Sequence, residues 1–414
     1  LFSGKMLKVG VVLCLVAAVN SQCFYPDDSA KKLDPSARTS LYRGQLDFTL
    51  NLFNSINKAV PEDNIFFSPF SVYHALLLAY FSSGGATEKA LKTSLQINEN
   101  LDKVNLLTAY KVDKRSRAVN RNADSYEFTN ANKIFVDTDL NTRQCFADML
   151  NDELEALNFH EKPAESRTHI NDWVAKVTKN NIKDLLPEDG VSEATKVVLA
   201  NAAYFKGVWA SKFPVENTKK QVFFVNETRQ TLVPFMRQKG HFHYSKITLV
   251  ASAIIIPNNH DVADALLVII MSSPTGVSNI IANLTPERLA AVVEESYTTR
   301  EVIVEIPKFT VEKGLPMRPI LETMGVGDLF SEKSDFTTLS EDKGILFDDA
   351  VHKAKIQIDE EGTVAAAATA IFGFRSSRPA EPSVFIANFP FVYVLYERPT
   401  NSVLFMGVYR DPKK

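Results

Sequence analysis

The stretch Asp348–Thr369 reads DDAVHKAKIQIDEEGTVAAAAT and changes character at Gly362. Before Gly362, charged or polar side chains alternate with apolar ones from Lys353 to Ile358, which predicts a β-strand with one covered face. After Gly362, no charged residue occurs from Thr363 through Phe374, and most side chains there are very small. Local pattern alone favours a helical turn here, because alanine is the best helix former and follows an acidic pair.

The same small, neutral side chains also fit a second hypothesis. They can enter the middle of a β-sheet, where a lysine or glutamate would be buried without a partner at a cost of several kcal/mol. Gly362 would then act as a hinge. The chain continues as IFGFRSSRPAEP over 371–382, a polar stretch with arginines and prolines that is typical of an exposed proteolytic bait.

The rest of the chain predicts an α+β fold. Helical stripes and helix-start signals such as Ser68-Pro69 concentrate in the first half, while strand patterns dominate the second half. This order favours antiparallel or mixed sheets and argues against a Rossmann or TIM-barrel arrangement. No Gly/Ser-rich linker or internal repeat interrupts the chain, so we expect a single domain over 41–414.

Four runs of sequence resemble those of serpins, in the same order and spacing. They are FFSPFSVYHALLLAYFSSGGAT (Phe66–Thr87), VVLANAAYFKGVWASKF (Val197–Phe213), DDAVHKAKIQIDEEGT (Asp348–Thr363) and FPFVYVLYERPTNSVLFMGVY (Phe389–Tyr409). The resemblance implies three β-sheets, eight or nine helices and an exposed reactive centre loop at about 360–382. A target protease cleaves such a loop, which then inserts as an extra strand into the main sheet.

The resemblance also assigns roles to individual residues. The hinge would comprise Glu360, Glu361, Gly362, Thr363, Val364, Ala365, Ala366, Ala367, Ala368 and Thr369. The shutter beneath the main sheet would comprise Ser68, Ser71, Asn201 and His352, and Trp209 would lie at the breach where insertion begins. Without the resemblance, Ser68 reads as a helix cap, Trp209 as core and His352 as a satisfied buried polar residue.

The hinge composition favours an active inhibitor. Thr363, Ala365, Ala367 and Thr369 would share one face of an inserted strand, and all four are small. Val364 departs from the family pattern, where an acidic residue is common, but valine is a good strand former. The alternative is a non-inhibitory serpin acting as a carrier, storage protein or chaperone. We expect no enzyme, because no catalytic constellation or phosphate loop is found.

The reactive bond is expected at Arg375-Ser376, because arginine is the side chain that trypsin-like proteases select. Family spacing from Gly362 points instead to Ser376-Ser377, and Phe374-Arg375 is a further alternative for a chymotrypsin-like target. No Gly-x-Ser-x-Gly motif surrounds either serine, so neither is expected to be a catalytic nucleophile.

The N-terminus predicts secretion. Met6 and Lys8 precede the apolar run Val9–Val19, which is too short to span a membrane and is typical of a signal peptide. We therefore predict a leader over 1–21, cleaved after Ser21, and a flexible tail over 22–40. Asn226-Glu227-Thr228 and Asn283-Leu284-Thr285 are glycosylation sequons, and Pro286 weakens the second.

Two cysteines remain once Cys14 leaves with the leader. Cys23 and Cys145 would meet an oxidising compartment, where a disulfide between them is one alternative. We expect instead that Cys145 is an ordinary buried thiol, because Cys23 lies in the polar tail.

The charge balance excludes a general nucleic-acid binder. Forty-six basic residues face 49 acidic ones, which gives a net charge of −3. His241-x-His243 lacks a third ligand, so neither a metal nor another cofactor is expected. A basic cluster resembles the region where some serpins bind glycosaminoglycans, although a solvated surface is the favoured interpretation: Lys111, Lys114, Arg115, Arg117 and Arg121. We expect a monomer whose partner is a secreted trypsin-like serine protease.

Overall fold

The computed structural model describes residues 23–24, 34–119, 126–207, 209–246, 252–257, 265–271, 276–294, 301–348, 350–360 and 381–414. Within these ranges there are nine α-helices, none of which is long and apolar enough to cross a membrane. They are α1 Ala37–Ala59, α2 Pro69–Ser82, α3 Gly85–Ser94, α4 Lys103–Val119, α5 Gln144–Met149, α6 Pro163–Val177, α7 Val277–Asn283, α8 Pro286–Glu294 and α9 Met317–Thr323.

The strands of the described ranges form three sheets. They are β1 Ile65–Phe67, β2 Tyr126–Asp137, β3 Leu154–Leu157, β4 Val197–Gly207, β5 Lys219–Phe224, β6 Gln230–Gly240, β7 His243–Lys246, β8 Ser252–Pro257, β9 Ala265–Met271, β10 Val302–Pro307, β11 Phe309–Pro316, β12 Ala350–Ile358, β13 Ser383–Ile386, β14 Phe391–Glu397 and β15 Ser402–Tyr409. The strand orders are β11-β12-β4-β2-β3, β13-β10-β6-β5 and β1-β15-β14-β9-β8-β7. The predicted α+β class with three sheets and eight or nine helices is confirmed.

Helix α2 lies at the centre of the molecule, and all 14 of its residues are buried. It begins as the sequence predicts, because the Ser68 side chain accepts a hydrogen bond from the Ser71 N–H and Pro69 occupies the first helical position. A helix that is apolar on every side must be covered on every side. The five-stranded sheet and the six-stranded sheet supply much of that cover, through contacts of α2 with β2, β4 and β15.

Close packing within the six-stranded sheet explains why position 407 is a glycine. A Cβ atom at Gly407, in the middle of β15, would lie 2.4 Å from the Ile65 carbonyl oxygen and 2.4 Å from the Tyr393 ring. Any side chain at this position would therefore displace backbone of β1 or a buried ring.

The N-terminal region differs from two expectations. Cys23 and Cys145 form a disulfide, so the expectation of an ordinary buried thiol at Cys145 is wrong. Arg143 Nη1 donates to the Cys23 carbonyl oxygen, and the Phe24 ring packs against Phe81. These contacts bring residues 23–24 onto α5, 122 positions away in sequence, which no local pattern reveals. Helix α1 also begins at Ala37, inside the range 22–40 predicted as a flexible tail.

Candidate functional site

The parallel pair formed by β4 and β12 is the centre of the candidate site, and we call it the seam. It runs from the pair Leu199 and Ala350 to the pair Phe205 and Ile356. Both outer neighbours are antiparallel: β2 pairs with β4, and β11 pairs with β12. The seam is therefore a parallel ladder between two antiparallel ones, and parallel pairing is slightly less stable per residue.

A neutral hydrogen-bond network lies under the seam near its β12 start. The Ser68 N–H donates to His352 Nε2 at 2.9 Å, so Nε2 carries no proton. His352 Nδ1 must then be the protonated nitrogen, and it contacts Asn201 Oδ1. Burial of the ring lowers the pKa of His352 to about 3, which keeps it neutral at physiological pH.

Two asparagines complete this network, and we call the six residues Ser68, Ser71, Asn130, Asn132, Asn201 and His352 the shutter cluster. Asn201 Nδ2 donates to Ser71 Oγ at 2.6 Å, and Ser71 Oγ donates to Asn130 Oδ1 at 2.5 Å. Asn132 Nδ2 donates to Asn130 Oδ1 at 2.8 Å. The structure thus brings together the four predicted shutter residues. It adds Asn130 and Asn132, which sequence reasoning missed although their spacing of two places them on one face of a strand.

At the other end of the seam, Trp209, Thr218 and Lys308 bind the chain as it leaves β12. We call these three residues and their partner Glu360 the breach cluster. Trp209 Nε1–H donates to the Asp359 carbonyl oxygen at 2.7 Å. Glu360 receives hydrogen bonds from Thr218 Oγ1 at 2.8 Å and from Lys308 Nζ at 2.6 Å. Burial is the largest single influence on Glu360 and opposes its ionisation, but the hydrogen bonds from Lys308, the backbone and Thr218, together with the charge of Lys308, outweigh it, and the pKa of Glu360 is lowered.

The predicted breach residue Trp209 therefore lies beside the start of the hinge, because it contacts Asp359, the residue before Glu360. Sequence reasoning missed Thr218 and Lys308, which carry no recognisable local signal. The remaining hinge residues, Glu361 to Thr369, lie outside the described residues, as do Phe374, Arg375, Ser376 and Ser377 of the alternative reactive bonds.

Four members of the basic cluster, Lys111, Lys114, Arg115 and Arg117, lie on α4 and differ in their environment. Arg117 makes a bidentate contact with Glu397 at 2.7 Å through each terminal nitrogen, and its Nε donates to Asp113. Lys114 pairs with Asp152 and Glu153. Lys111 and Arg115 are exposed, and Arg121 lies outside the described residues. Much of the cluster's charge is thus neutralised, and the glycosaminoglycan site stays a prediction.

Both sequons lie at the surface. Asn226 occupies the turn between β5 and β6, and its Oδ1 accepts from the Thr228 N–H, the Thr228 hydroxyl and the Arg229 N–H. Asn283 ends α7, and its Nδ2 donates to the Asn279 carbonyl oxygen. The described residues contain no group of three or more side chains suited to a metal, and His241 and His243 stand without a third ligand there.

Comparison with known proteins identifies a family over nearly the whole chain. The family model described as serpin (serine protease inhibitor) matches residues 43–412. Serine protease inhibitor 88Ea of Drosophila melanogaster is 38% identical over 394 residues, which cover 91% of this chain and 92% of that protein. Serpin B3 of Homo sapiens is 31% identical over 393 residues, covering 90% of this chain and 100% of that protein.

A solved structure shows the same fold. Uncleaved ovalbumin superposes with a TM-score of 0.80 over 90% of this chain and 100% of its own, at 22% sequence identity. At that identity the similarity establishes the architecture alone.

Proposed function

The chain belongs to the serpin family of serine protease inhibitors, and from this premise we propose that it traps a secreted trypsin-like protease as a suicide substrate. The protease cleaves a bond within the segment that follows Glu360. Its catalytic serine forms an acyl-enzyme ester with the residue before that bond. The cleaved segment then enters the seam before water hydrolyses the ester. Enzymes turn over at roughly 10 to 10³ per second, so insertion must finish within milliseconds to tens of milliseconds.

The parallel seam is the observation that carries this proposal. A segment that leaves β12 at Asp359 and folds back between β12 and β4 runs antiparallel to β12. Because β4 is parallel to β12, the same segment also runs antiparallel to β4. Insertion therefore exchanges one parallel ladder for two antiparallel ones, which adds backbone hydrogen bonds and strengthens the pairing.

The seam also suits the small hinge residues. Ala202 and Ala203 of β4 and Ala354 of β12 are fully buried. Charged side chains on the inward face of an inserted strand would be buried there without partners. The alternation of Thr363, Ala365, Ala367 and Thr369 avoids that cost.

Protease titration tests the proposal. On incubation with trypsin we expect a complex that survives SDS, and a released C-terminal peptide that begins at Ser376. Ala367→Asp should convert the inhibitor into a substrate, because the carboxylate would enter the sheet interior. Ala366→Asp is the matched control, since its side chain would lie on the opposite strand face, and it should retain more complex.

Three results would contradict the proposal. A peptide beginning at Ser377 or Arg375 would show that the reactive bond is Ser376-Ser377 or Phe374-Arg375. Full complex formation by Ala367→Asp would exclude insertion of this face. Cleavage that yields neither a complex nor a gain in thermal stability would favour the non-inhibitory alternative.

Secretion forms part of the proposal, and the disulfide between Cys23 and Cys145 supports it, because disulfides persist mainly in oxidising compartments. Expression from Met6 in insect cells should deliver a protein to the medium that begins at Gln22. Retention in the cell or an intact leader would contradict this.

The two sequons should differ in occupancy. Asn226 is exposed in its turn, where its Oδ1 accepts from the hydroxyl of Thr228, whereas Asn283 Nδ2, the atom that a glycan modifies, donates to the Asn279 carbonyl oxygen. We therefore expect glycan mass at Asn226 and little at Asn283, as measured by peptide mass spectrometry with and without glycosidase. Equal occupancy would contradict this distinction.

A further inference from the structure

A strip of apolar side chains lies on the outer face of the hairpin formed by β5 and β6, beside the first glycosylation sequon. We call Val222, Phe224 and Leu232 the outer strip. Val222 pairs directly with Leu232, and Phe224 follows two positions later on β5. Phe223 between them is fully buried in the core, so the outer strip occupies the opposite face. Leu232 is 63% exposed, and contiguous exposed apolar surface is typical of an interaction site.

The Phe224 ring is held in place although it is only half-buried. One side of the ring packs against Phe389, whose centroid is 5.2 Å away at an interplanar angle of 32°. The Phe224 N–H donates to the Asn388 carbonyl oxygen at 2.8 Å, which ties the end of β5 to the segment before β14. A ring that is ordered in advance costs little to use as a binding surface.

Asn226 lies two residues beyond Phe224, at the exposed turn of the hairpin. The N–H groups of Val225 and Asn226 both donate to the Arg229 carbonyl oxygen, at 2.9 and 3.2 Å. Asn226 Oδ1 accepts from the N–H groups of Thr228 and Arg229, so its side-chain amide is held in one orientation. Two residues of chain span at most about 7 Å. A sugar attached to Asn226 Nδ2 is therefore within reach of the Phe224 ring.

The charged neighbour Arg229 does not cover the outer strip. Its guanidinium pairs with Asp411 Oδ2 at 2.7 Å, and Asp411 is buried. Asp411 follows Tyr409 by two residues, and the Tyr409 ring packs against Phe223 on the inner face of the hairpin. The long side chain at the turn is thus directed to the inner face, and the outer strip is left to a group attached at Asn226.

From this arrangement we infer that the first N-acetylglucosamine of a glycan on Asn226 packs on the Phe224 ring, partly covers Leu232 and holds the hairpin closed. The inference rests on the glycosylation proposed above and adds the protein surface that receives the sugar. The face of the sugar ring carries C–H groups, which are attracted to the negative face of an aromatic ring. Leu232 lies diagonally across from Phe224, within reach of the same sugar.

Hydrogen exchange measured by mass spectrometry tests the contact on the full chain, secreted from human cells with high-mannose glycans. One sample keeps its glycans, and endoglycosidase H trims a second to a single N-acetylglucosamine. Peptide N-glycosidase frees the third of sugar and leaves a carboxylate at position 226, whose oxygens still accept the hydrogen bonds of the turn. We expect amides of 219–232 to exchange about fourfold more slowly in the first two samples, the factor for burial of about one methylene group.

Phe224→Leu separates the ring from other effects of the glycan. In this variant, removal of the sugar should change the exchange of the hairpin little. Phe389→Leu is the matched control, because it removes a ring of the same pair but leaves Phe224, and it should retain most of the effect of the sugar. The comparison of the three samples of the unchanged chain requires no variant, so it tests the contact even where Phe224→Leu does not fold.

Equal exchange in the three samples would overturn the contact, as would an equal effect of sugar removal in the unchanged chain and in Phe224→Leu. Slow exchange that is lost on trimming to one sugar would also overturn it, since the first sugar would then not be the one that packs. Absence of glycan mass at Asn226 contradicts the proposed glycosylation itself and removes the contact with it. The masses of the same peptides distinguish these failures, and complex formation with trypsin is measured separately.

Discussion

The shutter cluster and the breach cluster hold opposite ends of one seam by different kinds of interaction. In the shutter cluster, Ser68 and His352 are fully buried, and the network is made of neutral hydrogen bonds. In the breach cluster, the Lys308 side chain is 45% exposed and meets Glu360 as an ion pair.

This difference decides which end opens more easily. Opening the shutter cluster leaves buried donors and acceptors without partners, each at a cost of about 1 to 3 kcal/mol. At the breach cluster Glu360 is buried, but Lys308 is 45% exposed, so water takes over part of the interaction that opening removes. The breach cluster is therefore the end that opens more easily, which agrees with the strand insertion proposed above.

The largest expected effect comes from breaking the shutter cluster with His352→Leu. Leucine fills a similar space but leaves the Ser68 N–H and Asn201 Oδ1 without partners. We expect the free energy of unfolding in urea to fall by about 2 to 5 kcal/mol. His241→Leu, at an exposed histidine, is the control and should change little. A loss at His352 no larger than the control's would refute the role of the network.

Acid should act on the shutter cluster before it acts on the breach cluster. Burial lowers the pKa of His352 to about 3 and that of His74 to about 4, so the unfolded chain takes up protons below about pH 6.5 while the folded chain does not. Stability is therefore complete above that pH and falls as the pH drops, by at most about 1.4 kcal/mol per unit for each histidine.

Glu360 behaves differently, because its pKa is lowered and its contribution disappears only below its unfolded value of about 4.5. Urea unfolding between about pH 6.5 and 5 therefore reports on the two histidines. The fall in the free energy of unfolding should persist in His74→Phe, because His352 still takes up a proton in the unfolded chain and not in the folded one. A stability that is flat over this interval would contradict the assignment of His352 as a neutral buried ring.

A smaller effect is expected from Trp209→Phe at the breach cluster. Phenylalanine keeps the aromatic contact with Phe213 but loses the hydrogen bond to the Asp359 carbonyl oxygen. We expect a loss of about 1 kcal/mol in the free energy of unfolding, since that oxygen is left without its donor. A loss as large as that of His352→Leu would erase the distinction between the two ends.

The smallest effect is expected from Lys308→Gln, which removes a partly exposed ion pair. The loss should stay below about 1 kcal/mol and shrink further in roughly 1 M salt, where exposed charges are screened. The measurement is the difference in unfolding free energy from the unchanged chain at low and high salt, with Lys89→Gln, at an exposed lysine of α3, as the control. A loss that does not respond to salt would mean that Lys308 acts through packing.

Strongly patterned elements were predictable from the sequence. The alternation from Lys353 to Ile358 lies within strand β12, and Ser68-Pro69 starts α2 as the capping pattern predicts. Here the local preference and the buried environment agree.

Weakly patterned elements were missed. Helix α4 is rich in charge, and its basic cluster by itself predicts only a solvated surface. In fact it extends from Lys103 to Val119, with Arg117 and Asp113 directed into a buried ion-pair network. Strands β5 and β6 were also missed, because their side chains do not alternate cleanly between one buried face and one exposed face.

By itself, the sequence determined the elements whose hydrophobic period or capping residues are local, the small-residue composition after Gly362, and the family through runs of residues in a fixed order. Only the tertiary structure decided which distant side chains meet. His352 contacts Asn201 across 151 positions, Lys308 contacts Glu360, and Cys23 reaches Cys145. Such contacts depend on the register of the strands and on which distant segments the fold brings together. A buried polar group finds its hydrogen-bond partner only when both are determined.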